Sequence, residues 1–512
     1  LLDSFSIPAW AFHALEKVVR LNCVDFVVIV LNGFINPGQY NPNLFYKNNH
    51  NLAYRILSRI DQAIFHRGPD AFAPKNAQGL FPNVPIIRID LDHNEETGNI
   101  PSSGVDKINC YKIDILIRMG FENLAGDIFT AAKYGVWTYY HGDPQTIRSN
   151  QPGFWEVANG IPETGCILYI MNNDTIFGKV LYRSSIQTYP LSPVRNRNRC
   201  FWKSSSILSR QIELLYRLGE NDFFSKTEKY KLEFDSYTRK EHKSPSCFIT
   251  LWVYMILFSR AFLEVFHRAF YRYYWYLMFD INDIYSFSFA NYRKIIPPKD
   301  RYWADPHMIR KKDNYYIFIE EYLYKNGKGH ISVIQVDLQG HCTFPLPVLI
   351  KDYHLSYPYV FEHDDRYYMV PESSQNNSID LYECVEFPNE WKFKMTLMSN
   401  IKAVDTTLFF YQDEWWLFTG ITENEGAFPE IELYLFYSDK LFTTEWKSHE
   451  LNPVITDVTT SRPAGRLFLR NGKIYRPSQD CSKLYGYGFN VNEVQVMTHA
   501  DYCEKKVAVI KP

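Results

Sequence analysis

The strongest constraint on the fold is a motif that recurs four times between Trp303 and Asp480, at intervals of roughly 50 residues. Each copy is followed by a short apolar strand rich in aromatic side chains. The four copies are Trp303-Ala304-Asp305-Pro306, Ser356-Tyr357-Pro358-Tyr359, Ala403-Val404-Asp405-Thr406 and Ser461-Arg462-Pro463-Ala464. Repeats of this length with several aromatic strands each are typical of a β-propeller, in which every repeat forms one four-stranded blade. A β-sandwich with accidental periodicity is the alternative.

The repeat also predicts where a binding site would lie. In a propeller the innermost strand of each blade lines a central channel. If the four motifs occupy the same position on their strands, the side chains at that position converge in the channel. They are Asp305, Tyr357, Asp405 and Arg462.

Composition assigns the chain to the globular class, since 46% of its residues are hydrophobic and 22% are charged. A length of 512 residues predicts two or three domains. The 55 Lys and Arg nearly balance the 57 Asp and Glu, so no basic field is available for binding nucleic acid. The nine cysteines are scattered without a CxxC pair, which argues against disulfides or a zinc site and favours a reducing, cytoplasmic location.

Residues 1–219 alternate apolar strands with helical patterns, which predicts a doubly wound α/β domain with ligands at the carboxyl ends of the strands. We expect strands at Val24–Leu31, Val84–Ile89, Ile113–Ile117 and Val136–Tyr140, and helices at Ala14–Arg20 and Ala125–Tyr134. No GxGxxG motif follows a strand, so a dinucleotide is not indicated. The chain opens at Leu1-Leu2-Asp3-Ser4, which has the pattern of the end of a strand, and we expect a few residues to precede it.

The informative part of this domain follows its strand Val136–Tyr140. A Pro-Gly loop leads to Trp155, Gly160, Thr164 and Gly165 with the spacing Trp-x(4)-Gly-x(3)-Thr-Gly. This order resembles the N-terminal catalytic domain of the formyltransferases that use 10-formyltetrahydrofolate, such as methionyl-tRNA and sugar N-formyltransferases. The resemblance implies transfer of a formyl or acyl group to an amino sugar, with 10-formyltetrahydrofolate as the cofactor and no metal.

The catalytic Asn, His and Asp of that family fall on Thr138, Tyr140 and Ile176. Because isoleucine cannot transfer a proton, neighbouring polar residues are the candidates. The catalytic candidates are therefore Thr138, His141, Asp143 and Asp174. His141 and Asp143 follow a buried strand, where open α/β sheets bind their ligands. The alternative is a polar pair that closes the loop or caps the next helix.

Residues 220–246 are charged and poor in large aliphatic side chains, which predicts a linker. Residues 247–272 follow it with the pattern of an amphipathic helix. The uninterrupted apolar run of this helix, Cys247–Phe258, is too short to span a bilayer. Two interpretations remain open, a helix packed against a neighbouring domain and an interfacial membrane helix.

Residues 273–512 carry the propeller motifs, and these resemble one family in particular. The motifs are Trp303-Ala-Asp-Pro, His354-Leu-Ser-Tyr-Pro, Val370-Pro-Glu-Ser, Val404-Asp-Thr-Thr and Arg462-Pro-Ala-Gly-Arg. The set resembles the N-terminal domain of plant glucosamine inositolphosphorylceramide transferases, and bacterial proteins that join this domain to a formyltransferase-like one. We expect a five-bladed propeller. Its fifth blade would combine Trp275–Phe279 and Tyr285–Phe289 with Val491–Met497 and Val507–Ile510.

More distantly, the propeller is similar to five-bladed glycosidases of the arabinanase and invertase type. Cleavage of a glycoside needs two carboxyl groups. The similarity implies that Asp305 is the base or nucleophile and Asp405 the orienting carboxylate, whereas the position of the acid is taken by Arg462. Glu372 or Glu320 could supply the acid instead. The candidates for binding a sugar or nucleotide-sugar are Asp305, Glu372, Asp405, Arg462, Arg476 and Asp480.

Three functions remain open from the sequence. The first is a two-domain carbohydrate-modifying protein, in which the α/β domain transfers a formyl or acyl group to a glycan held by the propeller. The second is a propeller glycoside hydrolase whose first domain is structural. The third is a glycan-binding protein without catalytic activity.

Overall fold

The computed structural model describes residues 1–36, 51–94, 97–121, 124–173, 177–232, 241–271, 275–281, 292–427 and 431–511. The chain forms two compact units. Unit 1 comprises Leu1–Val265 with Asn424–Glu430, and unit 2 comprises Phe266–Glu423 with Ile431–Pro512. Asp174 and the predicted strand Tyr285–Phe289 lie outside the described residues.

Unit 1 contains both strands and helices. Its strands are β1 (Ser6–Pro8), β2 (Ile29–Asn32), β3 (Pro74–Asn76), β4 (Ile86–Ile89), β5 (Asp92–Asn94), β6 (Thr97–Asn99), β7 (Leu116–Ile117), β8 (Leu124–Ala125), β9 (Val136–His141), β10 (Glu163–Met171) and β11 (Lys179–Gln187). Its α-helices are α1 (Ala9–Val19), α2 (Leu52–Phe65), α3 (Ser102–Asn109), α4 (Phe154–Ala158), α5 (Pro193–Ser204), α6 (Ile207–Thr227) and α7 (Cys247–Phe270, whose last turn enters unit 2).

The centre of unit 1 is a mixed β-sheet. β2 runs parallel to β4, and β7 runs parallel to β9. The first residues of the chain connect these two pairs, because the amide of Leu2 donates to Val30 O at 2.9 Å and the amino group of Leu1 donates to Ile117 O at 2.6 Å. β10, however, is antiparallel to both β9 and β11. The predicted parallel sheet is therefore wrong at this edge, since the short connection between β10 and β11 allows a hairpin but no crossover helix.

Helices cover both faces of this sheet. Each face of the sheet has its own hydrophobic core. Adjacent residues of β9 point into different cores, because side chains alternate along a strand. Trp137 packs with Trp10 of α1 and Phe201 of α5 on one face. Val136 packs with Ile108 of α3 on the other face. The strands therefore lie between two apolar layers, as an α/β class requires.

Two predicted segments of unit 1 differ from the structure. The predicted helix Ala125–Tyr134 contains only a 3₁₀ helix, Asp127–Thr130, which follows Gly126 with φ of 86°. The predicted linker over residues 220–246 begins inside α6, which continues to Thr227 after a kink at Gly219 (φ 75°). The charged composition hid Phe223, a fully buried side chain whose ring stacks on Trp137 with a centroid distance of 6.0 Å.

α7 is longer than its predicted apolar run. In the part of the chain that the structure describes, α7 is a helix of 24 residues that is long and apolar enough to cross a membrane, judged by length and composition alone. Its inner side packs through Val253, Tyr254 and Leu257 against α2 and α4 of unit 1, where Tyr54 and Phe154 lie.

Unit 2 consists of β-strands. They are β12 (Leu277–Phe279), β13 (Arg293–Ile295), β14 (Arg301–Lys311), β15 (Asn314–Leu323), β16 (Lys328–Asp337), β17 (Leu346–Leu349), β18 (Ser356–His363), β19 (Arg366–Ser373), β20 (Ser378–Glu386), β21 (Glu390–Ser399), β22 (Ala403–Tyr411), β23 (Glu414–Ile421), β24 (Glu432–Ser438), β25 (Lys447–Ser448), β26 (Arg462–Pro463), β27 (Phe468–Arg470), β28 (Lys473–Asp480), β29 (Gly488–Met497) and β30 (Tyr502–Ile510).

These strands form successive antiparallel sheets with a propeller-type arrangement. The sheets are β14–β17, β18–β21, β22–β25 and β26-β28-β29-β30, with β27 also paired to β28. Their first strands contact one another in turn, β14 with β18, β18 with β22 and β22 with β26. Neighbouring sheets share apolar cores that contain Phe318 with Met369, Val370 with Leu417, and Phe418 with Ile474. Residues next to each other on β19 and β23 therefore face different neighbours, as the pleat requires.

The predicted composition of the fifth blade is wrong. Val491–Met497 and Val507–Ile510 lie in β29 and β30, which pair with each other and, through β28, complete the fourth sheet. The fourth motif needs these strands as its outer partners, so they are not available for a shared blade. Among the described residues, β12 and β13 form a separate two-stranded sheet, and Leu277 of β12 packs on Trp303 of β14.

Candidate functional site

The innermost strands of the first three sheets are interrupted at equivalent positions. Pairing with the second strand breaks between Ala304 and His307, between Ser356 and Tyr359, and between Val404 and Thr407. The residues at the breaks adopt left-handed backbone angles, with φ of 48° at Asp305, 41° at Tyr357 and 52° at Asp405. Each such conformation costs roughly 1–2 kcal/mol for a residue other than glycine. A cost repeated three times at one level of the sheets indicates that these side chains are held there for a purpose.

The motif residues do come together. The amide of Tyr357 donates to Asp305 Oδ2 at 3.3 Å, and the Tyr357 hydroxyl lies 2.8 Å from Thr407 Oγ1. That hydroxyl also accepts from the amide of Gly465 at 2.8 Å. Tyr357, which is buried, therefore fastens the second sheet to the third and to the loop after β26.

Asp405 and Arg462 form the charged centre of the site. Arg462 Nε lies 2.6 Å from Asp405 Oδ2, and Asp405 is only 2% exposed. Gln479 of β28 donates to the same oxygen at 3.3 Å. The Arg462 guanidinium also lies 4.8 Å from the centre of the Tyr485 ring, a distance typical of a cation–π contact. A buried ion pair of this kind needs such additional partners to offset the cost of desolvation.

Two glutamates of the second strands lie opposite the motifs. Glu320 pairs with Ala304 across β14 and β15, and Glu372 pairs with Ser356 across β18 and β19. The equivalent residue of the third sheet is Gly420, opposite Val404. Asp305, Glu320, Glu372 and Asp405 are hereafter called the carboxylate cluster.

The environment of Glu372 favours its protonated form. Burial and then the charge of Asp405 raise the pKa of Glu372, and its carboxyl group shares a hydrogen bond with Asp405. The Ser374 hydroxyl donates to Glu372 Oε1 at 2.9 Å. Because Asp405 is ion-paired with Arg462, the proton between the two carboxyl groups belongs on Glu372, which then donates to Asp405.

Asp305 and Glu320 are perturbed in the same direction. Burial and then Asp405 raise the pKa of Asp305, and burial and then Asp305 raise the pKa of Glu320. The Tyr302 hydroxyl donates to Glu320 Oε1 at 2.9 Å, and the Tyr302 ring stacks on Tyr322. Because burial and neighbouring carboxylates raise the pKa values of Asp305, Glu320 and Glu372, these three groups can both hold and release protons near neutral pH.

Arg476 and Asp480 are used differently from the prediction. Arg476 is buried and its guanidinium donates twice to Glu504 of β30, at 2.7 and 2.8 Å. Asp480 is also buried and accepts from the amide and hydroxyl of Ser482. Arg476 therefore links β28 to β30, and Asp480 holds the loop that follows β28.

Tyr302 and Tyr485 belong to the site but were missed by sequence reasoning. Tyr302 directly precedes the first motif, so its position offered a signal. Tyr485 lies in the loop between β28 and β29, where no pattern points to it. Glu320 and Glu372, which the sequence offered as alternative acids, follow their motifs at the same offset.

The candidates of unit 1 occupy an enclosed position. His141 is 5% exposed, its ring stacks on Phe201 at 3.5 Å, and its Nε2 lies 2.9 Å from Ser204 Oγ. Burial lowers the pKa of His141 to about 3, so the ring is neutral at physiological pH. Asp143 is buried and ion-paired with Arg183. Thr138 is also buried, and its hydroxyl lies 3.4 Å from the Arg118 guanidinium.

No group of three His, Cys, Asp or Glu side chains in the described ranges is arranged to hold a metal ion.

Comparison with known proteins finds a family match for one part of the chain. Residues 293–511 match the family model for the N-terminal domain of glucosamine inositolphosphorylceramide transferase 1. The full-length proteins of that name from Oryza sativa subsp. japonica and Arabidopsis thaliana are each 31% identical to this chain over 207 residues. This stretch is 40% of this chain but only 28% and 27% of theirs, so the chain spans less than a third of these relatives.

The family match confirms the predicted resemblance for the propeller-type domain. Of unit 1 it includes only the short segment Asn424–Glu430, and it gives no support to a formyltransferase-like first domain. Solved structures with partial likeness include a family 117 glycoside hydrolase from Zobellia galactanivorans, at 11% identity and a TM-score of 0.34 over 41% of this chain and 71% of that one. Another is the Bombyx mori GH32 β-fructofuranosidase, at 14% identity and a TM-score of 0.33 over 42% of this chain and 52% of that one.

Proposed function

We propose that unit 2 binds a carbohydrate at the carboxylate cluster and acts on a glycosidic bond by general acid–base chemistry. The observation that carries the proposal is the contact of Glu372 with Asp405, itself ion-paired with Arg462, beside the carboxyl group of Asp305, in surroundings that raise the pKa of Glu372. Glycosidic chemistry needs one carboxyl group that donates a proton and one that activates or becomes the nucleophile.

The two roles follow from the environments. Glu372 carries a proton at neutral pH and donates it to the leaving oxygen of the sugar. Asp305, at the left-handed position of β14, is the carboxyl group that activates the attacking hydroxyl or attacks the sugar itself. Asp405 and Arg462 balance each other's charge. The Tyr485 ring contacts Arg462 but is half exposed, so a sugar ring can stack on its exposed part.

The acceptor is either water or a hydroxyl group of a second molecule. The relatives that match unit 2 are named as transferases of glucosamine inositolphosphorylceramide. This name favours transfer to a hydroxyl acceptor, in which case Asp305 deprotonates that hydroxyl instead of water.

The test uses the purified chain and a panel of chromogenic aryl glycosides, with and without sugar alcohols as acceptors. We expect release of the phenol, lost by about 10²-fold or more in Glu372→Gln and Asp305→Asn. The matched control is Glu386→Gln, an exposed glutamate of β20, which should keep full activity. Equal activity of all three variants with at least one glycoside would refute the proposal.

Binding without turnover is the second candidate. The observation that favours it is Arg462 in the position where the similar glycosidases carry their acid, since a guanidinium suits an anionic sugar. Calorimetric titration with anionic and neutral oligosaccharides separates the two functions. Preferential binding of the anionic oligosaccharides by the folded protein, together with no turnover in the whole panel, would establish the second candidate.

For unit 1, transfer of a formyl or acyl group remains a prediction from sequence. Titration with a stable analogue of 10-formyltetrahydrofolate tests it directly, with Asp143→Asn as the variant. No binding by the folded protein would remove that cofactor and leave unit 2 as the site of the chemistry.

A further inference from the structure

Two neighbouring helices of unit 1 leave large apolar side chains in contact with solvent. On α7 the exposed side chains are Phe248, Leu251, Trp252, Met255, Phe262 and Leu263, with Phe262 at 70%. Soluble proteins rarely expose contiguous apolar surface of this extent unless it binds a partner or a membrane.

The adjacent helix α2 repeats the feature. Leu52, Ile56, Ile60 and Ile64 are spaced four residues apart and therefore form one row along the helix. All four are exposed, by 41% to 65%. An amphipathic helix of a globular protein normally turns such a row toward the core, so this row faces something other than the rest of unit 1.

The two helices form a fixed pair. The Tyr254 hydroxyl donates to the buried Asp61 at 3.2 Å, and Asn51 donates to Thr250 Oγ1 at 3.3 Å. A groove of about 680 Å³ runs along α7 where it borders α2, and the side chains that line it include Leu57 and Phe258. The apolar side chains are therefore displayed on a rigid base and do not depend on a disordered segment.

The charged residues beside this surface indicate what binds to it. Arg55 and Arg59 are exposed on α2, and Arg67 is exposed just beyond its end. The single acidic residue of α2, Asp61, is buried and engaged by Ser192 and Tyr254. Aliphatic rows bordered by arginine match the boundary between acyl chains and anionic headgroups.

We propose that unit 1 binds the surface of an anionic lipid bilayer through α2 and the exposed side of α7. The helices lie in the interface and do not cross it. Arg260 sits near the middle of α7, where a crossing would place a charge at the centre of the bilayer. Val253, Tyr254 and Leu257 also face unit 1 itself, so only one side of α7 is free for lipid. This inference does not depend on the carbohydrate site.

The test is flotation of the purified chain with vesicles of phosphatidylcholine, alone or mixed with phosphatidylserine. We expect binding to the mixed vesicles that weakens as salt rises. Leu251→Asp with Phe262→Asp should reduce binding at least about tenfold, because two apolar side chains no longer enter the bilayer. Arg55→Glu with Arg59→Glu should reduce binding to the mixed vesicles only. Tyr216→Asp, equally exposed at 70% on α6, is the matched control and should bind normally.

A second readout reports insertion. Brominated lipid should quench the fluorescence of Trp252, and Trp252→Phe should remove that quenching while binding is kept. The proposal is overturned if the folded chain does not float with either vesicle, or if the aspartate variant floats like the wild type. It is also overturned if the aspartate variant dissociates an oligomer seen by sedimentation without lipid, since the surface would then join copies of the chain.

Discussion

Adjacent glutamates on β15 should respond in opposite ways to the same substitution. Glu320 faces the carboxylate cluster, whereas Glu321 is fully enclosed by β14 and β16. Glu321 Oε1 accepts from Arg301 at 2.9 Å and from the Trp303 indole at 3.1 Å. Its Oε2 accepts from Ser332 at 2.7 Å and lies 3.2 Å from His330 Nε2. Glu321→Gln removes the charge from this network and places an amide among its donors.

The magnitude follows from the pKa of Glu321. Burial acts to raise this pKa, but hydrogen bonds from His330, Ser332, Arg301 and Trp303 outweigh burial and lower it to about 2. This lowering of the pKa corresponds to about 3 kcal/mol of stability. Because the native pKa is lowered, this stability is complete above the ordinary carboxyl pKa and is lost as the pH falls toward the native value.

Glu320→Gln should behave differently. Burial and Asp305 raise the pKa of Glu320, so its carboxyl group is already neutral and an amide replaces it with little cost. The raised native pKa means that wild-type stability from Glu320 falls as the pH rises through that value. The Gln variant should therefore match the wild type at low pH and equal or exceed it at alkaline pH.

The assay is hydrogen exchange across a urea series, with peptides from β15 and β16 reporting on unit 2. At pH 7 we expect Glu321→Gln to lose about 3 kcal/mol of stability, and that difference to shrink as the pH approaches about 3. A cost at pH 7 no larger than that of Glu320→Gln would refute the reasoning. A difference that persists unchanged in acid would show that packing, and not charge, holds Glu321.

Three further outcomes are expected. Arg462→Met leaves Asp405 buried without its partner and should destabilise unit 2 by about 3–5 kcal/mol in the same exchange assay; an unchanged stability would mean that water reaches the pair. Burial and then Asp405 raise the native pKa of both Asp305 and Glu372. Their contribution is therefore present below the ordinary carboxyl pKa of about 4 and lost as the pH rises through the native values, so wild-type stability should fall between about pH 5 and pH 8. Asp305→Asn with Glu372→Gln should flatten this fall, and an equal fall would contradict it. Phe223→Ala should cost unit 1 about 3–5 kcal/mol in urea unfolding, well above the cost of Phe224→Ala beside it; equal costs would exclude α6 beyond its kink from the core.

The sequence predicts the inner strands of unit 2 well because the repeated motif marks equivalent positions in successive strands. The recurrence was enough to bring Asp305, Tyr357 and Asp405 to one level, and their left-handed angles follow from bulges at equivalent positions. The shared offset of Glu320 and Glu372 was also present in the sequence, whereas the strand register shows that they lie opposite the motifs.

Other features depend on contacts that no local pattern records. β10 and β11 were not among the predicted strands, and their antiparallel pairing depends on the short connection between them. β29 and β30 pair with β28 because the fourth motif has no other outer strands, which spacing alone does not decide. Tyr485 contacts Arg462 of the site from a loop. Phe223 is buried, but the charged residues around it made its segment resemble a linker.

The three left-handed positions are structurally equivalent. Their backbones are equivalent, yet they present aspartate, tyrosine and aspartate, so the fold fixes where a side chain points without fixing what it is. Asparagine and aspartate tolerate this backbone better than most residues do. Exchange of the polar group at one of these positions, for instance with Asp305→Asn, would therefore alter which ligand is accepted while the sheet keeps its pairing. Asp405 is the exception, because its replacement would leave Arg462 without its ion-pair partner. A change of ligand at this site would need new side chains at these three positions and no change of architecture.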